Sequence, residues 1–516
     1  MRDRQLHHLS HRMYRRALRP ASYLLVLLGI GLSANGVVAQ EGQESSALEI
    51  QEVPEVPALE EVERRDYPEL EQAIDRVLSD PELQRAKVGV HVEDARTGEV
   101  LYSHLADEAL NPASNIKLIT AATALDVLGP HYTFSTELAT NRRSERSIDD
   151  LFVIGSGEAF LLFKDVLAWA GELRLQGIDT ITGDIIIDES AFAEGYLPPG
   201  YETRDTDASY RSSIGALSVN FNTVTTTVTP GAMGEPGVVR LDPPQEHIEV
   251  VNRTRTVGGS LARVQVSAVP TAEGTRIEVG GTIGQGAQPV AVRKRVDNPA
   301  EFAGAVVARA IEMVGITFDG EVRPGEAPAP EGRERLHVHS SSPLIDTIAA
   351  MNKWSNNFMA EQVLLATARG QGQPATWPQA IGKAREFMVR AGFDAEAFSL
   401  HNGSGLYEGN AVSARQFVAL LRYMRGHAFG PEFIASLPIA GVDGSLRNRL
   451  REPHVAGNLR AKTGTLNNVT ALSGYVQSRS GRQLAFSILI NDPPRRAWIY
   501  RPHQDQIAQA IANFDE

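Results

Sequence analysis

The chain has 516 residues, 42% hydrophobic and 22% charged, which is enough apolar material for about three globular domains. Its 63 acidic and 50 basic side chains leave a net charge of −13, which argues against general nucleic-acid binding, since that needs basic surface against phosphates. With no cysteine, disulfides, thiolate metal sites and cysteine nucleophiles are all excluded.

Residues 1–39 read as an export signal. Arg2, Arg4, Arg12, Arg15, Arg16 and Arg19 precede an apolar run over residues 23–32, and Val37-Val38-Ala39 offers small residues for cleavage before Gln40. The competing reading is a retained membrane anchor, for which the apolar run is short against the roughly 20 residues a spanning helix needs. No cysteine follows it, so lipid anchoring is excluded. Residues 40–66 are rich in Glu, Val and Pro and lack aromatics, as a flexible acidic leader would.

Order is expected from Tyr67-Pro68, with a helix through Leu70, Ile74 and Val77. The alternation from Lys87 to Asp94 predicts a strand, and Ala95-Arg-Thr-Gly98 turns it into a second one at Val100-Leu-Tyr-Ser103. The hairpin delivers the chain to residues 111–120. There Pro112 suits a helix start, because its fixed φ and missing N–H cost nothing at that position. Ser114 and Lys117 are spaced to share one helix face. A serine needs a base within hydrogen-bond reach to act as a nucleophile, and a desolvated lysine one turn on can be that base. Taken alone, Ser-x-x-Lys is frequent by chance and more often marks a helix start with a solvated lysine.

From about 134 to 333 the texture changes to short β-rich runs punctuated by glycine and proline, closed by a helix near 302–314. One or two mainly β modules inserted into the first domain are predicted. Helical texture then returns near residues 344–351, 359–366, 379–391 and 414–424. Strands are expected at 473–477 and 484–490, with a last helix over about 504–514. Among scattered histidines, His401 beside Asn402 is the one near a motif of interest.

Three motifs stand in order: Ser114-Asn-Ile-Lys117, Ser355-Asn-Asn357 and Lys462-Thr-Gly464. The trio resembles the set that marks serine penicillin-recognising enzymes. Met351-Asn-Lys-Trp-Ser-Asn-Asn-Phe-Met-Ala-Glu-Gln362, Asn402-Gly-Ser-Gly-Leu406, Leu437-Pro-Ile-Ala-Gly-Val-Asp-Gly-Ser445 and Leu459-Arg-Ala-Lys-Thr-Gly-Thr465 extend the likeness. Gly155-Ser-Gly157, Ile181-Thr-Gly-Asp184, Ile187-Asp188 and Ala216-Leu-Ser-Val-Asn220 carry it into the insertion. From about Tyr67 onward the chain resembles the D-alanyl-D-alanine carboxypeptidase/endopeptidase family, the class C low-molecular-mass penicillin-binding proteins. It departs from that family at Glu158-Ala159, where members often have Asp-Pro, and at Asn402, where they usually have Asp.

The resemblance implies an α+β fold of the penicillin-binding, serine β-lactamase-like type: an antiparallel sheet flanked by helices, packed on a helical part. Residues 67–133 and 334–516 would form this catalytic domain and 134–333 the β-rich insertion. It implies a periplasmic serine-type D-Ala-D-Ala carboxypeptidase and DD-endopeptidase that acts on peptidoglycan peptides, needs no cofactor and takes β-lactams as covalent inhibitors. Ser114 would be the nucleophile and Lys117 its proton acceptor. Ser355 and Asn357 would relay a proton and hold the substrate amide, and Lys462 would add a second cation. Thr463 and Thr465 would bind a substrate carboxylate, Gly464 would admit the substrate backbone, and the N–H groups of Ser114 and Thr465 would form the oxyanion hole. Asp188 would face the amino end of a diaminopimelyl side chain; the residues alone fit a turn-capping aspartate as well. The rival readings are a serine β-lactamase or esterase on the same fold and a non-catalytic cell-wall-binding protein.

Overall fold

The structure, a computed structural model, describes residues 66–516 except 194, 246, 272–273 and 371–372. The expected signal and nearly all of the leader lie outside the described residues. Pro68 opens helix α1 (Pro68–Leu78), with Leu70 and Ile74 buried one turn apart. Strands β1 (Lys87–Asp94) and β2 (Val100–His104) form the expected antiparallel hairpin. Helix α2 (Ile116–Leu128) follows the Ser114 turn and stops at Gly129, whose φ of 77° ends it. Every residue from Ile116 to Leu125 is buried, so α2 is a central helix covered on all sides.

The stretch from 135 to 340 contains β3 (Ser135–Thr140), β4 (Ser147–Ile148), β5 (Leu151–Ile154), α3 (Phe163–Leu175), β6 (Thr180–Ile181), β7 (Ile185–Asp188), β8 (Thr223–Thr229), β9 (Val238–Asp242), β10 (Val250–Val257), β11 (Ala262–Thr271), β12 (Gly274–Gly284), β13 (Val290–Arg295), α4 (Pro299–Met313), β14 (Thr317–Phe318), β15 (Val322–Pro324) and β16 (Glu334–Ser340). One sheet runs β15-β7-β5-β3-β16, and three short ones run β14-β6-β4, β13-β8-β9 and β10-β12-β11. Two differences from expectation appear. Helix α3 lies in what read as a mainly β region; it buries Val166, Trp169, Ala170 and Leu173, the i, i+3, i+4, i+7 set of an amphipathic helix. Strand β16 pairs with β3 from Glu334↔Thr140 to Ser340↔Ser135, so the sheet that holds β3 takes in residues past 333.

The remainder supplies α5 (Leu344–Trp354), α6 (Asn357–Ala366), α7 (Trp377–Arg390), α8 (Ala414–Gly426), α9 (Gly430–Ser436), β17 (Arg460–Thr465), β18 (Val469–Gln477), β19 (Gln483–Asn491) and α10 (Arg501–Asn513). The central sheet runs β17-β18-β19-β1-β2 and is antiparallel throughout. Strand β19 separates two cores by its period of two. Ala485 and Leu489 face the helices, while Leu484, Phe486, Ile488 and Ile490 pack with α1 and α10. Burial on both faces explains why this strand reads as an unbroken apolar run. Edge strand β17 lies beside the Ser114 turn, where the three motifs meet.

Candidate active site

The turn that carries Ser114 is held in a costly conformation. Ala113 has a φ of 47°, in the left-handed region that side chains avoid, at a cost of about 1–3 kcal/mol. Asn111 Oδ1 accepts from the Ala113 N–H at 2.9 Å, and Asn491 closes on the backbone of Asn111 from both sides at 2.9 Å. Gly405, with a φ of 73°, sits so close that a Cβ there would lie 1.9 Å from the Ala113 carbonyl oxygen. Asn115 points into the sheet and donates to Ser473 Oγ at 2.7 Å, and Ser473 meets Ser487 at 2.8 Å. The start of α2 is thereby pinned to β18 and β19.

One turn on, Lys117 is 0% exposed and its Nζ has three neighbours: Ser114 Oγ at 3.1 Å, Asn357 Oδ1 at 2.8 Å and the Ser404 carbonyl at 2.6 Å. Burial lowers its pKa to about 7, against a smaller opposing pull from Glu361. In the neutral form an amine has two N–H groups and one lone pair. Two of the neighbours are acceptors only, so they take the N–H groups and leave the lone pair facing the Ser114 hydroxyl.

The second motif is built by a helix break. Ser355 ends α5 at φ 55°, and Asn356 caps α6 by accepting from Met359 N at 3.0 Å. Its middle residue is thus structural, and it throws Ser355 and Asn357 to the same cleft. Asn357 spends its Oδ1 on Lys117, and its Nδ2 donates to the Tyr210 carbonyl at 2.9 Å.

The third motif lies on β17. Lys462 is 0% exposed, and its Nζ donates to Ser355 Oγ and the Thr463 carbonyl, both at 2.8 Å. Burial, and next the charge of Lys117, push its pKa well below that of an ordinary lysine. Lys462 is thus a buried side chain whose Nζ is directed at Ser355. Thr463 Oγ1 donates to Ser445 Oγ at 2.7 Å, and Thr465 Oγ1 donates to the Gly464 carbonyl at 2.6 Å. The need for glycine at 464 is internal: a Cβ there would lie 2.7 Å from the Pro112 carbonyl oxygen and 3.2 Å from Ala113 Cβ. Strand and serine turn touch backbone to backbone at this point.

Several residues of the site were not assigned from sequence. The loop Asn402-Gly-Ser-Gly405 read as a signature without a task; here the Ser404 carbonyl binds Lys117. Glu361, 0% exposed, accepts from the Gly403 and Ser404 N–H groups at 3.0 and 2.8 Å and so aims that carbonyl. Burial raises the Glu361 carboxyl above its usual range. Tyr201, from the insertion, places its hydroxyl 2.9 Å from Ser404 Oγ. Ser445 and Arg501 also join the cleft, the latter donating to Thr465 Oγ1 at 3.0 Å.

The two departures are accommodated locally. Asn402 is fully buried; its Oδ1 accepts from Gly405 N at 2.9 Å, while its Nδ2 donates to the Pro199 and Leu406 carbonyls at 3.2 and 3.1 Å. Two acceptors facing Nδ2 are what an amide satisfies and a carboxylate cannot. Glu158 reaches His339 Nε2 at 3.1 Å and holds that imidazole above its ordinary pKa. Asp188 makes no hydrogen bond to the trio; its partners are backbone groups. It is 4% exposed at the end of β7, with Oδ1 accepting from Ser190 N and Oδ2 from Ala327 N, both at 2.8 Å. Both carboxylate oxygens thus accept a backbone N–H. His401 is exposed and makes no side-chain bond to the trio. No group of residues among those described could hold a metal ion, and none of the described helices is long and apolar enough to cross a membrane.

Known proteins resemble this chain over most of its length. A D-alanyl-D-alanine carboxypeptidase from an Actinomadura species is 37% identical over 462 residues, covering 86% of this chain and 85% of that protein. The D-alanyl-D-alanine carboxypeptidase DacB of Haemophilus influenzae is 26% identical over 413 residues, covering 79% of this chain and 85% of its own. The crystal structure of penicillin binding protein 4 from Haemophilus influenzae matches with a TM-score of 0.72 at 24% identity, covering 86% of this chain and 99% of that one. The same protein complexed with a β-lactam matches with a TM-score of 0.68 at 24% identity, covering 84% and 97%. The profile of the D-Ala-D-Ala carboxypeptidase 3 (S13) family matches residues 70–514. The chain therefore belongs to that family and is a serine-type D-Ala-D-Ala carboxypeptidase.

Proposed function

We propose that Ser114 is the nucleophile and Lys117 the general base of this peptidase. The observation that carries the reading is the environment of Lys117 Nζ, where two acceptor oxygens leave the amine lone pair for the Ser114 hydroxyl. Lys117 takes the proton as Ser114 Oγ attacks the carbonyl carbon of the penultimate D-alanine. Negative charge collects on the former carbonyl oxygen, for which the backbone N–H groups of Ser114 and Thr465 are the proposed donors, each worth about 3–4 kcal/mol when removed. Collapse breaks the C–N bond; the leaving amine receives a proton relayed from Lys117 through the cleft, with Ser355 and its neighbour Lys462 as the route. Water then attacks the ester, its proton passing back through Lys117, and frees Ser114.

The same steps serve a carboxypeptidase, which releases terminal D-alanine, and an endopeptidase, which opens a D-alanyl–diaminopimelyl cross-link. We assign both to this chain, acting on peptidoglycan peptides in the periplasm, with export over residues 1–39. A β-lactam presents its strained amide carbonyl to the same serine, and the β-lactam complex of the Haemophilus relative supports acylation here too. Digestion of purified muropeptides, with products read by mass, tests the assignment. Loss of one alanine from pentapeptides and splitting of dimers are the expected products. Intact muropeptides together with rapid turnover of penicillin would replace it with a β-lactamase.

A further inference from the structure

In the proposed mechanism the base changes charge where water does not reach. When Ser114 gives its proton to Lys117, a fully buried side chain becomes a cation, and the groups that touch its Nζ are neutral: the Ser114 hydroxyl, the Asn357 amide and the Ser404 carbonyl. A buried charge of this kind needs a counter-ion. Lys462, on β17, can carry charge of the same sign and cannot supply it. Tyr201 is a phenol that burial keeps protonated. The acid that acts on Lys117 is Glu361, from α6; it is 0% exposed and pulls the lysine pKa upward against desolvation.

The backbone between the two groups passes from α2 to α6 as a strip, with carbonyls on one side and N–H groups on the other. The Gly403 carbonyl accepts from Thr120 Oγ1 at 2.7 Å and the Ser404 carbonyl from Lys117 Nζ at 2.6 Å, two donors spaced i, i+3 on one face of α2. The Gly403 and Ser404 N–H groups turn the other way, to Glu361 Oε2 and Oε1 at 3.0 and 2.8 Å. Gly403 leaves no slack, since a Cβ there would lie 3.0 Å from both the Ala360 carbonyl oxygen and Leu364 Cβ. The Tyr201 hydroxyl holds the Ser404 side chain at 2.9 Å. Both Glu361 oxygens accept N–H bonds, which favours the carboxylate, and the charged group that acts on this carboxylate is Lys117.

We infer that Glu361 is the counter-ion for the ammonium that forms at Lys117 when Ser114 gives up its proton, acting across Ser404. The inference deepens the reading of Lys117 as the general base and rests on it. The proton passes from Ser114 Oγ to Lys117 Nζ as the bond from Ser114 Oγ to the substrate carbonyl carbon forms. Glu361 keeps its charge throughout, and that charge is matched once Lys117 is protonated. Glu361 touches neither Ser114 nor the substrate, so it is a positioning residue. Its two oxygens aim the Ser404 carbonyl, and its charge favours the protonated base.

The test reads the pH dependence of penicillin acylation, and of kcat/KM for a peptide ending in D-Ala-D-Ala, on the full protein. Glu361→Gln removes the charge and should move the rising limb to lower pH by on the order of one unit. The weaker base should also lower the plateau about tenfold. Thr120→Val loosens the same strip from its other side without changing any charge. Whatever its rate, its rising limb should stay where the wild type has it. A limb that does not move in Glu361→Gln, or that moves equally in Thr120→Val, would overturn the inference and leave Glu361 as a fastening of the loop. If Glu361→Gln does not fold, Glu361→Met, neutral and of similar length, carries the same comparison. If neither folds, Glu361→Asp decides: the shorter side chain draws the charge back from Lys117, so its limb should move down by a smaller step, and an unmoved limb would overturn the inference. A wild-type limb near that of an ordinary lysine, about 10, would instead overturn the reading of Lys117 as a desolvated base.

Discussion

Lys117 Nζ lies 3.1 Å from Ser114 Oγ in a pocket with no exposure to solvent, and the other two contacts of that amine are acceptor oxygens. In the proposed mechanism this pair turns a weak nucleophile and a strong base into a matched couple near neutral pH. An ordinary lysine would hold its proton there, and an ordinary serine would keep its own.

Acylation should follow the protonation of Lys117. Because burial brings its pKa to about 7, kcat/KM should climb as pH rises through that value and level off above it. Lys117→Ala should abolish penicillin labelling of Ser114, and Ser114→Ala should remove the label and lower kcat by about 10⁶. A pH–rate profile with its rising limb near 10 would mean that the amine is not desolvated in solution.

The same burial has a consequence for stability. An unfolded chain keeps this lysine protonated up to about 10.5, while the folded chain releases the proton near 7. Between those values the unfolded state binds the extra proton, so stability rises with pH, with a slope approaching about 1.4 kcal/mol per unit for one group. Lys462, shifted in the same direction, adds to the trend. Denaturant midpoints measured from pH 7 to 10 should increase in wild type and increase less in Lys117→Met, which should also be the more stable protein at neutral pH.

Asn402→Asp, which installs the residue more usual in relatives, should destabilise this chain. The new carboxylate oxygen would face the Pro199 and Leu406 carbonyls in a buried site, leaving acceptors opposed to acceptors. The expected cost is about 1–3 kcal/mol, read as a lower melting temperature. Because the loop carries the Ser404 carbonyl that binds Lys117, penicillin acylation should slow in parallel. An unchanged melting temperature would mean that the loop re-forms around an aspartate with a retained proton.

Asp188→Asn should act through the fold. Its two carboxylate oxygens accept backbone N–H groups from Ser190 and Ala327, and an amide would set an NH₂ group against one of them. Cleavage of peptides with a free side-chain amine, cleavage of N-acylated peptides and penicillin acylation should fall together or not at all. A loss confined to the free-amine peptides would restore Asp188 as a cleft acid.

Much of the site is written in short segments of sequence because its geometry is local. The i, i+3 spacing of Ser114 and Lys117 puts them on one face of a helix start. The cap at Asn356 places Ser355 and Asn357 on either side of a helix break, and the small Gly464 lets a strand lie against backbone. The central sheet was equally legible, since β19 and β1 announce themselves by apolar runs and alternation. The pKa shifts of the two lysines were decided by the tertiary structure alone. The lowering of the Lys117 and Lys462 pKa values comes from burial among residues far away in the chain, among them Asn357, Ser404 and Ser355. Arg501 reaches Thr465 only because α10 packs beside the edge of the sheet, and Asp188 is spent on the backbone of Ala327, which pairing of β15 with β7 brings alongside. The place of β16 was likewise decided by its pairing with β3, strands almost two hundred residues apart. Desolvation and long-range pairing are sums over neighbours in space, and a linear chain specifies those neighbours without displaying them.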